Sequence, residues 1–127
     1  MIVLDVSFVM KLLKKEISFD VFNEDDKFIA PYLFDYEIAN VLWKIAKFQG
    51  LMPMDVRNLI KAINSLGIEK EQPDLWRLFD CAKETGLTAY DASYLVLARK
   101  YECPLATCDK QLAQIAKQEE IEVIEGK

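Results

Sequence analysis

GLTAYDASYLVLARKYECPLATCDK, residues 86–110, is the stretch that decides how this chain folds. Gly86 stops one helix, and Thr88 is placed to cap the next, over roughly 89–101. Pro104–Thr107 then reads as a short buried strand, and Lys110–Glu119 as another helix. Helix, strand and helix in that order belong to an alternating α/β chain. Two acids interrupt the pattern. Asp91 sits just ahead of the apolar run Tyr94–Ala98, and Asp109 directly follows the strand.

Working outward, Ile2-Val3-Leu4 reads as a buried strand ending at Asp5, with Ser7 placed to cap a helix over roughly 8–15. The polar segment Asn23–Lys27 leads to a second short strand, Phe28–Ala30. Pro31 suits the first turn of a helix running to Gly50, and Pro53 opens another through Asn64 or Ser65. Ile68–Lys70 has strand character, Pro73 starts the helix that Gly86 ends, and Ile121–Ile124 reads as the last strand. The expected fold is a single α/β domain over residues 1–127. It has a mainly parallel sheet of four or five short strands, flanked by helices.

Composition narrows the chemistry. The chain contains no histidine, which removes Ser-His-Asp and Cys-His catalysis, His-based acid–base cleavage and H-E-x-x-H metal sites. Cys81, Cys103 and Cys108 are odd in number and lack C-x-x-C spacing, so they are expected as reduced structural thiols. No apolar run is long enough to span a membrane, and the start has no signal-peptide pattern. A cytoplasmic protein is expected. The formal charge of −5 is a poor match for a broad basic nucleic-acid face. Committing four carboxylates to a cation, however, would leave 17 acidic against 16 basic residues. Net charge therefore does not decide the function.

Asp5 and Asp109 each follow a strand, and ligands of open parallel sheets bind outside the strands' carboxyl ends. Taken singly, each is also an ordinary turn residue. Glu37 lies in the helix PYLFDYEIANVLWKIAKF, with Leu33 and Val41 one turn to either side. That helix is apolar nearly all round, so burial is expected, and Glu37 then needs a salt bridge to Lys44 or another base, or a bound cation. Asp91 stands three residues after Thr88, where T-A-Y-D resembles a capping box. Gathered in one crevice, four carboxylates repel one another unless something positive lies among them. Without His or suitably spaced Cys, the fitting occupant is a hard divalent cation such as Mg²⁺ or Mn²⁺. Such an ion polarises a phosphoryl oxygen and acidifies water.

L-D-V-S near the start, the helical Glu in APYLFDYEIANVLWK, then GLTAYDASYLVLA and PLATCD resemble the PIN-domain nucleases in order and spacing. The similarity is greatest to the VapC-like toxins of toxin–antitoxin pairs, and it runs from Met1 to about Ile124. The resemblance places the family's acidic quartet on Asp5, Glu37, Asp91 and Asp109, and its supporting polar positions on Ser7, Asn40 and Thr107. Val6 stands where such sequences often carry a smaller residue.

The resemblance implies a Mg²⁺- or Mn²⁺-dependent endoribonuclease. Asp5, Asp91 and Asp109 would ligate the ion, and Glu37 would ligate it or position the attacking water. Products would carry 5′-phosphate and 3′-hydroxyl ends. It also implies a homodimer and a small antitoxin that pushes a basic side chain toward the acidic site. Two alternatives stay open: a PIN nuclease of RNA processing or quality control with no antitoxin, or a catalytically silent module of the same fold that binds RNA or protein. Haloacid-dehalogenase-like phosphatases need D-x-D where this chain has Asp5-Val6-Ser7, and receiver domains need an early acidic pair that is missing. Lys11, Lys14, Lys15 and Lys44 are candidate RNA contacts. Trp43, Phe48 and Trp76 are candidates for a contact surface, with core packing the commoner fate of such rings.

Overall fold

The computed structural model describes residues 1–126. Its elements run β1 (Ile2–Leu4), α1 (Val6–Leu13), a 3-10 turn (Phe19–Val21), β2 (Phe28–Pro31), α2 (Leu33–Gln49), α3 (Pro53–Ser65), β3 (Glu69–Glu71), α4 (Leu75–Thr85), α5 (Ala89–Tyr101), β4 (Leu105–Thr107), α6 (Lys110–Gln118) and β5 (Val123–Glu125). All five strands lie in one parallel sheet of order β3-β2-β1-β4-β5. The chain winds outward from β1 in one direction, then returns to its other side at β4. That reversal opens a crevice beyond the carboxyl ends of β1 and β4.

Alternation along the strands sorts the core into two layers. Val3, Ile29 and Leu105 face one layer with α4, α5 and α6, where Cys81, Leu95 and Leu112 are buried. Ile2, Leu4, Ala30 and Ala106 face the other with α1, α2 and α3, around Phe8, Phe34, Ile38 and Ile63. The expectation of a buried helix falls on the wrong segment. α5 is the central one, with every residue from Ala92 to Ala98 buried between the sheet and α4. α2 buries only the stripe Phe34, Ile38 and Leu42 against α1 and α3. Val41 and Ile45 pack at its edge, half-buried, while Trp43 and Phe48 are exposed, as is Trp76 on α4. Core packing of those three rings is therefore overturned.

Boundaries shift for local reasons. Helix α1 begins two residues earlier than expected because Asp5, not Ser7, accepts the capping bond from the Phe8 amide, at 2.9 Å. Pro31 ends β2 instead of opening α2, since its carbonyl edge still pairs in the sheet. Helix α4 starts at Leu75, where Asp74 supplies the cap. Gly50 and Gly86 close α2 and α4 in the left-handed conformation. Among the described residues, no helix is long and apolar enough to cross a membrane.

Candidate active site

The capping that starts α1 also builds the site. Asp5 is 5% exposed at the end of β1. Its Oδ1 accepts from the Ser7 hydroxyl at 2.7 Å and from the Phe8 amide, while its Oδ2 accepts from the Thr107 hydroxyl at the end of β4. Ser7 Oγ in turn accepts from the Cys108 amide at 2.9 Å, and Thr107 Oγ1 from the Asp109 amide at 3.0 Å. Residues a hundred positions apart in sequence are thus tied directly at the ends of two adjacent strands. Asp109 caps α6, accepting from the Gln111 and Leu112 amides at 3.0 and 3.1 Å through one oxygen. Its other oxygen makes no hydrogen bond among the described residues.

The opposite wall is built differently. Thr88 caps α5 by accepting from the Asp91 amide at 3.2 Å, but the reciprocal bond of a capping box is absent among the described residues. The Asp91 carboxylate is half-buried and unbonded there. Glu37, one turn into α2, accepts a 2.6 Å hydrogen bond from the Tyr94 hydroxyl. No salt bridge to Lys44 forms, and none of the ion pairs among the described residues involves Asp5, Glu37, Asp91 or Asp109. Asn40 shares a shallow cavity with Glu37, Thr88 and Asp91, without a hydrogen bond to them.

The acids sense one another. Burial pushes the Asp5 carboxyl above its ordinary value, against the pull of the Thr107, Ser7 and Phe8 donors, and Asp109 adds repulsion. Burial raises Glu37 as well, opposed by Tyr94 and reinforced by Asp91 and Asp5. Asp91 is raised by burial and then by Asp109. Repulsion therefore links all four across four elements, with no ion pair to a basic side chain among the described residues. Tyr94 is driven strongly upward by burial and by Glu37, so it stays a protonated donor.

Tyr94 is the residue that sequence reading missed, taken there as the start of an apolar run. Its spacing held the signal: three residues after Asp91, it lies on the same helix face.

An all-oxygen, anionic donor set fits a hard divalent cation. Among the described residues no three of these acids close on a single point that an ion could fill. Mg²⁺ does not require that, because it keeps several waters and is often held by one or two carboxylates.

With this geometry in place, the comparisons are decisive for class. The chain belongs to the PIN-domain family, whose model matches residues 2–118. Within that family it is similar to proteins named VapC ribonucleases. One is Ribonuclease VapC3 of Pyrobaculum aerophilum, 35% identical over 83 residues, or 62% of this chain and 63% of that protein's length. Another is VapC ribonuclease Mb0985 of Mycobacterium bovis, 30% identical over 115 residues, 89% of each chain. The crystal structure of PAE2754 from Pyrobaculum aerophilum superposes with a TM-score of 0.74 at 31% identity, covering 90% of this chain and 84% of that one.

Proposed function

We propose that this protein is a divalent-metal-dependent endoribonuclease and the toxin half of a toxin–antitoxin pair. The observation that carries the reading is the set of four carboxylates at the β1–β4 crevice, mutually repelling and without a basic partner among the described residues. The relatives' names supply the substrate class. In this reading Asp5, Asp91 and Asp109 hold Mg²⁺ or Mn²⁺, with Glu37 beside them. The ion, when bound, offsets charge on the phosphate and lowers the pKa of water.

The chain's own residues do the rest. Ser7 and Thr107 fix both oxygens of Asp5, so its carboxylate is oriented before any ligand arrives. The Tyr94 hydroxyl aims Glu37 into the crevice, where its free oxygen positions a water in line with the scissile bond and accepts its proton. The water oxygen bonds to phosphorus, the P–O3′ bond breaks with its electron pair on the 3′-oxygen, and that oxygen takes a proton from solvent while Glu37 returns its own to solvent. The ends are 5′-phosphate and 3′-hydroxyl. A homodimer and an antitoxin with a basic side chain reaching the acids belong to the same reading. A PIN nuclease working without an antitoxin would share the site and the end chemistry.

The test is incubation of purified protein with mixed RNA in Mg²⁺, Mn²⁺ or EDTA. Metal-dependent fragments bearing 5′-phosphates support the reading. Intact RNA in both metals, with a well-folded protein free of any copurified partner, contradicts it.

A further inference from the structure

The two flanks of the acidic crevice are chemically unlike. Beyond Thr107, a cavity of about 240 Å³ is lined by charges of both signs, Lys11 and Lys110 with Asp109 and Glu125. Beyond Glu37 and Asp91, a shallow cavity of about 500 Å³ is lined by Tyr36, Tyr90 and Asn40. Tyr36 projects from α2 at 76% exposure and Tyr90 from α5 at 69%. Neither ring packs against another aromatic ring among the described residues, and both are mostly exposed. Two uncovered rings at the rim of a carboxylate-bearing cavity do not contribute to the core.

We infer that Tyr36 and Tyr90 form a stacking platform for an unpaired nucleobase next to the scissile phosphate. This rests on the ribonuclease reading and narrows its substrate to RNA that is single-stranded at the cut. An apolar protein side chain entering the cavity would strip water from Glu37 and Asp91 without replacing its hydrogen bonds. A nucleobase offers a π face to the rings and a polar edge to the Asn40 amide, which both donates and accepts. Its attached phosphate lies beside Glu37 and Asp91, which line the same cavity. A paired base is held in its stack and cannot enter.

The experiment uses the full chain and a single-stranded oligoribonucleotide carrying 2-aminopurine, with the same strand in a duplex as control. Binding is followed by 2-aminopurine fluorescence in EDTA, and cleavage kinetics are measured in Mn²⁺. The expected result is quenching by the wild type on the single strand and not on the duplex. Tyr36→Ala and Tyr90→Ala should each weaken binding and raise KM by roughly tenfold, with kcat changed much less. Tyr36→Phe and Tyr90→Phe should retain the quench, because the ring is kept. Unchanged KM and quench in the alanine variants would overturn the platform. So would unchanged RNA affinity coupled with lost binding of a copurifying protein, which would give the face to that protein. If the wild type cuts no RNA, the ribonuclease reading fails on that ground alone, and the quench still decides the platform.

Discussion

The two walls of the crevice carry the same functional group in opposite conditions. On the β1–β4 wall, Asp5 is buried and held by a hydroxyl on each oxygen, plus a backbone amide, and Asp109 is locked by two amides. On the α2–α5 wall, Glu37 has one phenolic donor and Asp91 has none among the described residues. The difference follows from where each acid sits. A carboxylate between a strand end and a helix start meets amides and hydroxyls that need an acceptor, so the fold orients it. A carboxylate on the side of a helix meets amides already bonded within that helix. One wall is preformed, and on the other the fold leaves the carboxylates largely unbonded among the described residues.

Removing charge from the preformed wall should have the largest effect. Asp5→Asn should lower RNA cleavage on the order of 10²–10³-fold, as expected for loss of a preorganised electrostatic group. Single-turnover kinetics would show it, and near-wild-type rates would take Asp5 out of the chemistry. Next comes Thr107→Val, which deletes a fully buried hydroxyl serving both Asp5 and the Asp109 amide. It should cost about 1–3 kcal/mol in urea unfolding.

Across the crevice, Tyr94→Phe should cost about 1 kcal/mol. It should also move the acid limb of the pH–rate profile upward, since the Tyr94 hydrogen bond holds the Glu37 carboxyl down. An unmoved limb would separate Tyr94 from Glu37's role. The smallest effect concerns pH. The folded state raises the carboxyls of Asp5, Glu37 and Asp91 above the ordinary 3.8 and 4.5. The folded protein therefore binds more protons than the unfolded chain just above those values. Metal-free stability should rise as pH falls through the raised values and level off near the ordinary ones. Thermal melts in EDTA would show this trend, and saturating Mn²⁺ should flatten it.

Much of this was legible from residues 86–110 and the first few of the chain. Gly86, Thr88 and Pro104 punctuate the end of α4, the whole of α5 and β4 so clearly that these limits shift by at most a residue in the structure. The same grammar led to the strand-end acids, because strand termini in a parallel sheet share one edge. It failed where tertiary contacts decide. The run of apolar residues in α2 reads as core, yet only one stripe of that helix, Phe34, Ile38 and Leu42, is fully buried. Ser7 looked like a cap because nothing local shows that its hydroxyl accepts from Cys108, across the sheet. Tyr94 was hidden for the same reason: its partner lies 57 residues away, on a helix whose position only packing determines.

We propose that acids from both walls together hold a divalent cation, and Asp91 tests this most directly because the fold itself makes least use of its carboxylate. The measurement is the melting temperature of wild type and Asp91→Asn, each in EDTA and in Mn²⁺. The wild type should gain several degrees with metal. Asp91→Asn should match or exceed the wild type without metal, because repulsion with Glu37 and Asp109 is relieved, yet lose most of the metal-dependent gain. An equal gain in both proteins would contradict the account and leave Asp91 as part of the α5 cap.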